Sequence, residues 1–201
     1  MKTMLQRWRV FLWVAVWVLC FPGQAQANAG VPMIFLTWPG MALALIPVIF
    51  LEMRVIGKRL GLTPRRAFKV AAWANLLTTF VGVPLTWVIL TVLEGATGGG
   101  RAYGIDTPAK KLLAVTWQAP WLIPYEANHN LYWMVPAAMM WLLVPTFFMS
   151  WWLEYLAAAR MLRDADRARL KSAMFKANLL SYAFLELCAL GWLLFEIVFV
   201  V

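Results

Sequence analysis

The sequence predicts an all-α integral membrane protein, a four-transmembrane-helix bundle made of two tandem helical hairpins and preceded by a cleavable signal peptide. Three observations predict it. The chain is 63% hydrophobic and 13% charged, with a mean hydropathy of +0.72, and apolar runs of about 20 residues, enough to cross a hydrocarbon layer of ~30 Å, recur along it. Lysines and arginines gather at the ends of those runs. The motif Ala-Asn-Leu-Leu-Thr/Ser occurs twice, at Ala74 to Thr78 and Ala177 to Ser181, each time after a basic loop. The short alternating strands of an outer-membrane barrel are missing from the pattern.

The first element is a processing signal. Lys2, Arg7 and Arg9 form a positive n-region, Val10 to Phe21 an apolar core, and Ala25-Gln26-Ala27 a small-x-small cleavage site. Cleavage after Ala27 is expected, so that residues 1–27 are the signal peptide and residues 28–201 the membrane domain. Cys20 then leaves with the signal. Cys188 stands alone in an apolar span, so no disulfide or metal framework is expected.

Span one is expected at residues 34–56, with Pro39 and Pro47 predicting a kink because each lacks a backbone donor. Arg54, Lys58, Arg59, Arg65, Arg66 and Lys69 follow, and Thr63-Pro64 reads as an N-cap before a proline at the first helical position. Span two is expected at residues 67–93. The outer loop, residues 94–130, holds a Gly-rich turn and a second cap-plus-proline start at Thr107-Pro108. There, Lys110, Lys111, Leu112, Leu113, Val115 and Trp117 predict a short helix at the membrane interface, within a belt that includes Trp121, Tyr125, Tyr132 and Trp133. Span three is expected at residues 131–156. Arg160, Arg163, Arg167, Arg169, Lys171 and Lys176 come next, and span four is expected at residues 173–201.

The two connections dense in Lys and Arg should face the cytoplasm, and the long loop should face outward. The expected location is the bacterial inner membrane, multi-pass, with the mature N-terminus and the C-terminus both outside. The formal charge of +9 lies mostly beside the spans. It therefore predicts contact with the lipid bilayer and its anionic headgroups at the basic loops, and no nucleic acid.

Glu52 and Glu154 each end a span just before a basic loop, and the intervals Glu52 to Asn75 and Glu154 to Asn178 differ by one residue. This pattern reads as a duplicated hairpin, a parallel internal repeat. Asn75, Thr78, Thr79, Gly82 and Thr86 fall within an arc of about 100° on span two, and Asn178, Tyr182, Glu186, Ala189 and Glu196 within about 80° on span four. These stripes predict that spans two and four pack on each other at the centre, with spans one and three outside.

Glu186 lies ten positions beyond Lys176, about 15 Å into the bilayer, where a carboxyl needs a partner or an aqueous path. Glu186, Asn178, Tyr182, Asn75 and Thr79 form the expected membrane-embedded polar site. Glu52 and Glu154 are weaker candidates, expected to form salt bridges with Arg54, Lys58 or Arg160. His129, with Glu126 beside it, is weaker still, because a metal site needs more ligands. There is no P-loop, GxSxG, HExxH or CxxC pattern, so no catalytic residue, cofactor or metal is expected. The expected function is non-enzymatic, as a subunit or scaffold of a membrane complex with a membrane-protein partner or as a homo-oligomer. The alternative is a small oligomeric transporter or channel that uses Glu186 as an ion- or proton-coupling residue.

Overall fold

The computed structural model describes residues 38–98, 103–119 and 130–199. The signal peptide, residues 34–37, Trp121, Tyr125, Glu126 and His129 lie outside the described residues. The described chain is all helical, with no strand. It runs through α1 (Trp38–Leu60), α2 (Pro64–Leu77), a π-helical turn (Thr78–Gly82), α3 (Val83–Gly98), α4 (Pro108–Val115), α5 (Leu131–Met161) and α6 (Arg167–Phe199). Among the described residues, four helical stretches are long and apolar enough to cross a membrane: Gly40–Leu60, Pro64–Thr97, Leu131–Met161 and Arg167–Phe199.

The helix ends follow local chemistry more than hydropathy. α1 continues past Arg54 to Leu60, where Gly61 takes φ +65 and the Leu62 N–H reaches back to the Gly57 carbonyl. Glycine meets this left-handed closing conformation without a Cβ penalty. α2 begins at Pro64, whose missing N–H costs nothing in a first turn, although the Thr63 side chain makes no capping bond. α6 begins six residues before the expected apolar span, because the Asp166 carboxylate accepts the Arg169 N–H at 2.7 Å and caps it within the basic stretch. The Arg169 guanidinium in turn donates to the Arg59 carbonyl at 2.9 Å, placing a cation on the C-terminal end of α1.

The four long elements form a ring in the order α1, α2, α5, α6, with α6 packing back against α1. No Cα atoms of α2 and α6 come within 8 Å of each other, and the same holds for α1 and α5. The expected direct packing of spans two and four is therefore corrected: they are diagonal, and spans one and three are full members of the ring. The buried stripe of α2 is Ala67, Val70, Ala71, Ala74 and Asn75, continued by Thr78 of the π-helical turn, and that of α6 is Leu170, Ala173, Met174, Ala177, Asn178 and Ser181. Both follow the three-and-four spacing of one helix face. The alanines let neighbouring backbones approach, the usual device where lipid supplies no hydrophobic drive. Of the stripe residues, Val70, Ala71, Ala74, Leu170, Met174 and Ala177 join Ile56, Ala158 and Leu162 in one apolar cluster toward the basic end.

The other end has its own cluster. α4 starts where the Thr107 side chain accepts the Lys110 N–H at 3.3 Å. It buries Ala114 and Val115 against Val83, Met134 and Ala138 while Leu112 stays 62% exposed. The short helix thus leans on the bundle and leaves a second apolar edge exposed. The Lys110 ammonium bonds both Asp106 carboxylate oxygens, at 2.9 and 3.0 Å. This holds the Asp106 carboxyl below its ordinary range.

Two outcomes are expected. Ala177→Leu should lower stability by about 1–3 kcal/mol through overpacking, whereas Leu179→Ala on the lipid-facing side should change it little; melting in lipid nanodiscs checks both. The Asp106 bond should support α4 fully above the unfolded carboxylate range and fade as pH falls through the lowered folded value. An NMR titration of Asp106 reads this directly.

Candidate functional site

The polar centre of the ring is built from two glutamates that the expected site ranked low. Glu52 on α1 and Glu154 on α5 are each 1% exposed. The Asn75 amide donates to Glu52 Oε2 at 2.5 Å and the Ser181 hydroxyl to Glu52 Oε1 at 2.6 Å. The Asn178 amide donates to Glu154 Oε2 at 2.7 Å and the Thr78 hydroxyl to Glu154 Oε1 at 3.1 Å. Each carboxyl therefore takes an amide from the helix that follows it in sequence and a hydroxyl from the diagonal partner of that helix. Each amide also returns a bond to a carbonyl one turn back, Asn75 to Ala71 at 3.0 Å and Asn178 to Met174 at 3.2 Å. Both its hydrogens are then used, which fixes the side chain's direction.

The two carboxyls are near neighbours, because Asn75 and Thr78, one turn apart, bond Glu52 and Glu154 respectively, and Ser181 and Asn178 do the same from α6. Like charges held this close repel, and one proton shared between them would remove that repulsion. No cation neutralises the pair, since the one ion pair among the described residues is Lys110–Asp106. The expected salt bridges from Glu52 and Glu154 to the basic loops are therefore corrected. Helix geometry gives the reason: Arg54 lies about 200° around the helix from Glu52, and Lys58 and Arg160 about 240° from their glutamates, so the cations point elsewhere. That rotation was readable in the sequence, and Ile56 and Ala158, one turn on from each glutamate, are buried on the same face.

The π-helical turn begins three residues after Asn75. The Val83 N–H donates to the Thr78 carbonyl, and Pro84, lacking an N–H, cannot donate to the previous turn. The Thr79 hydroxyl bonds the Asn75 carbonyl at 2.8 Å, and the Thr86 hydroxyl bonds the Gly82 carbonyl at 2.8 Å. These hydroxyls help satisfy a ladder that is locally out of α register.

A cavity of about 70 Å³ adjoins Glu154 on the side away from the basic loops, lined by Asn75, Thr78, Thr79, Ser150, Glu154 and Tyr182 with apolar residues of all four spans. It is polar at the carboxyl end and has room for more than one water. The Tyr182 and Ser150 hydroxyls meet there at 2.6 Å. Asn178 Oδ1 is buried without a hydrogen-bond partner among the described residues.

The structure thus brings together Asn75, Asn178, Glu52 and Glu154, with Tyr182 and Thr79 on the adjoining cavity. It does not bring in Glu186, which is half-buried, lies outside that cavity and has no hydrogen-bond partner among the described residues. Glu186 sits about 110° around α6 from the direction midway between Asn178 and Ser181. Thr78 and Ser181 were overlooked as donors, although they close both copies of the repeated motif. His129 lies outside the described residues, which contain no group of three or more metal-ligating side chains. No protein-family model matches the chain, and no curated protein or solved structure is significantly similar to it.

The crossed pattern gives a direct expectation. A double-mutant cycle of Ser181→Ala with Glu52→Gln should show a coupling of about 0.6–1.7 kcal/mol. The cycle of Ser181→Ala with Glu154→Gln should show a smaller one. Unfolding in nanodiscs measures both.

Proposed function

We propose that the protein is a small, non-enzymatic transport protein of the bacterial inner membrane, and that it passes protons by way of the Glu52–Glu154 pair. One observation carries the reading: two buried carboxyls at the heart of the ring, joined through shared donors on both diagonal helices, have no ion-pair partner among the described residues, and Glu154 opens on a small cavity. Ionisable groups within membrane spans are costly and concentrate along ion and proton paths. A proton fits this site better than a metal cation. All four carboxyl oxygens accept N–H or O–H donors, and no group of three or more metal-ligating side chains stands among the described residues.

In this reading the chain is two tandem hairpins related as a parallel repeat, made after removal of a signal peptide. Its basic connections lie in the cytoplasm and both mature termini outside. The crossed bonds support the duplication, because Glu52, Asn75 and Thr78 play the same parts as Glu154, Asn178 and Ser181. A second reading, a subunit or scaffold of a membrane complex, is favoured by α6. Only 6% of its apolar window is buried inside the chain, against 39% for α5, so its outer half has surface to offer a second copy or another protein.

Reconstitution in vesicles loaded with a pH-sensitive dye tests the first reading. Under an imposed membrane potential the wild type should acidify or alkalinise the lumen, while Glu52→Gln and Glu154→Gln should each lose that flux. Glu186→Gln should retain it. Wild-type vesicles no leakier than protein-free ones would remove the transport reading and leave the subunit reading to be tested by co-purification.

A further inference from the structure

We propose that the groove between α1 and α6 at the basic end of the bundle is a binding site for the headgroup of an anionic phospholipid. The groove holds about 640 Å³ and is lined by Val55, Lys58, Arg59, Arg169, Ser172, Ala173, Lys176 and Leu180. Its size falls in the range of small-molecule sites. Four cationic side chains converge on it from two helices that are distant in sequence, and no acidic residue lines it. None of the four forms an ion pair among the described residues. Asp166, the nearest acid in sequence to Arg169, is spent as the cap of α6. Lys171, on the same helix, sits instead over the Trp151 ring at 5.6 Å.

The site is also built. The Arg169 Nε donates to the Arg59 carbonyl at 2.9 Å, which fixes the guanidinium at the junction of the two helices and uses only one of its five N–H donors. A planar guanidinium suits a phosphate oxygen pair, and lysine ammoniums add point charge. Basic pockets between spans at a membrane's charged face are suited to anionic headgroups.

The chemistry shared by a lipid headgroup and free phosphate is the phosphate group, and the groove's polarity gradient selects between them. Lys58, Arg59, Arg169 and Ser172 lie at the loop end. Val55 lies about one helical turn deeper than Lys58, and Leu180 about two turns deeper than Ser172, with Leu180 45% exposed beside Lys176. The groove is thus cationic where a headgroup sits and apolar where acyl chains begin. A soluble anion has no use for the second half. Occupancy would bridge the first and last spans and so reinforce closure of the ring.

The test uses the full-length chain in nanodiscs of phosphatidylcholine, with and without added phosphatidylglycerol. The wild type should melt about 5 °C or more higher with phosphatidylglycerol. Lys58→Gln with Lys176→Gln, which spares the Arg169–Arg59 bond, should lose most of that rise. Arg65→Gln with Lys69→Gln, which removes the same charge outside the groove, should keep it. Equal loss in both variants would overturn the proposal in favour of diffuse surface attraction. No phosphatidylglycerol effect in the wild type would overturn it outright. A matching rise from millimolar inorganic phosphate in phosphatidylcholine discs would overturn the lipid assignment and make the groove a soluble-anion site.

Discussion

The ring depends on two carboxyl groups that would be intolerable alone in a bilayer. Each is made tolerable by two donors, and the donors of each come from helices that do not touch one another. Removing Ser181 leaves an acceptor on α1 short of a partner, and removing Thr78 does the same on α5. The same bonds fix register. A helix sliding by one residue would turn its amide and hydroxyl about 100° away from their acceptors. Apolar surface in lipid resists such sliding weakly, because lipid tails solvate leucine as well as a neighbouring helix does. The polar centre therefore specifies which helices meet and at what height, and the alanine-rich layer beside it permits the closeness those bonds require.

That arrangement divides the bundle along its length. Toward the basic loops the helices are tightly packed around Ile56, Leu162, Leu170 and Met174. On the other side of the glutamates lie a small polar-ended cavity and a π-helical turn, and the packing passes to a separate cluster around α4. The tight layer is suited to block passage and the looser half to admit water. A carboxyl pair at the boundary is where a proton arriving from one side would be held. The anion-binding groove lies beyond the tight layer, so a bound headgroup would brace the closed end without touching the carboxyls.

Much of this was legible in the sequence. Composition and charge placement pointed to the membrane spans, and the repeated Ala-Asn-Leu-Leu-Thr/Ser supplied all four donors of the centre. The acceptors were harder to read. Glu52 and Glu154 stand two and six residues before an arginine, and that proximity suggested solvated pairs, although helical rotation places the cations on another face. Glu186 looked central because it is alone in an apolar run, yet depth along a helix says nothing about the side it faces. The ring order of the helices was not legible, because a polar stripe facing the axis is compatible with direct or diagonal packing. The early start of α6 and the π-helical turn depended on single capping and proline contacts that hydropathy does not register.

The central claim is that the Glu52–Glu154 pair holds a proton at neutral pH. Infrared spectroscopy of the carboxylic-acid C=O stretch, on the full chain in nanodiscs near pH 7, tests it most directly. The account predicts a protonated-carboxyl band in the wild type that survives in Glu186→Gln and disappears in the Glu52→Gln, Glu154→Gln double variant. A wild-type spectrum without that band, or a band that persists unchanged in the double variant, would contradict it.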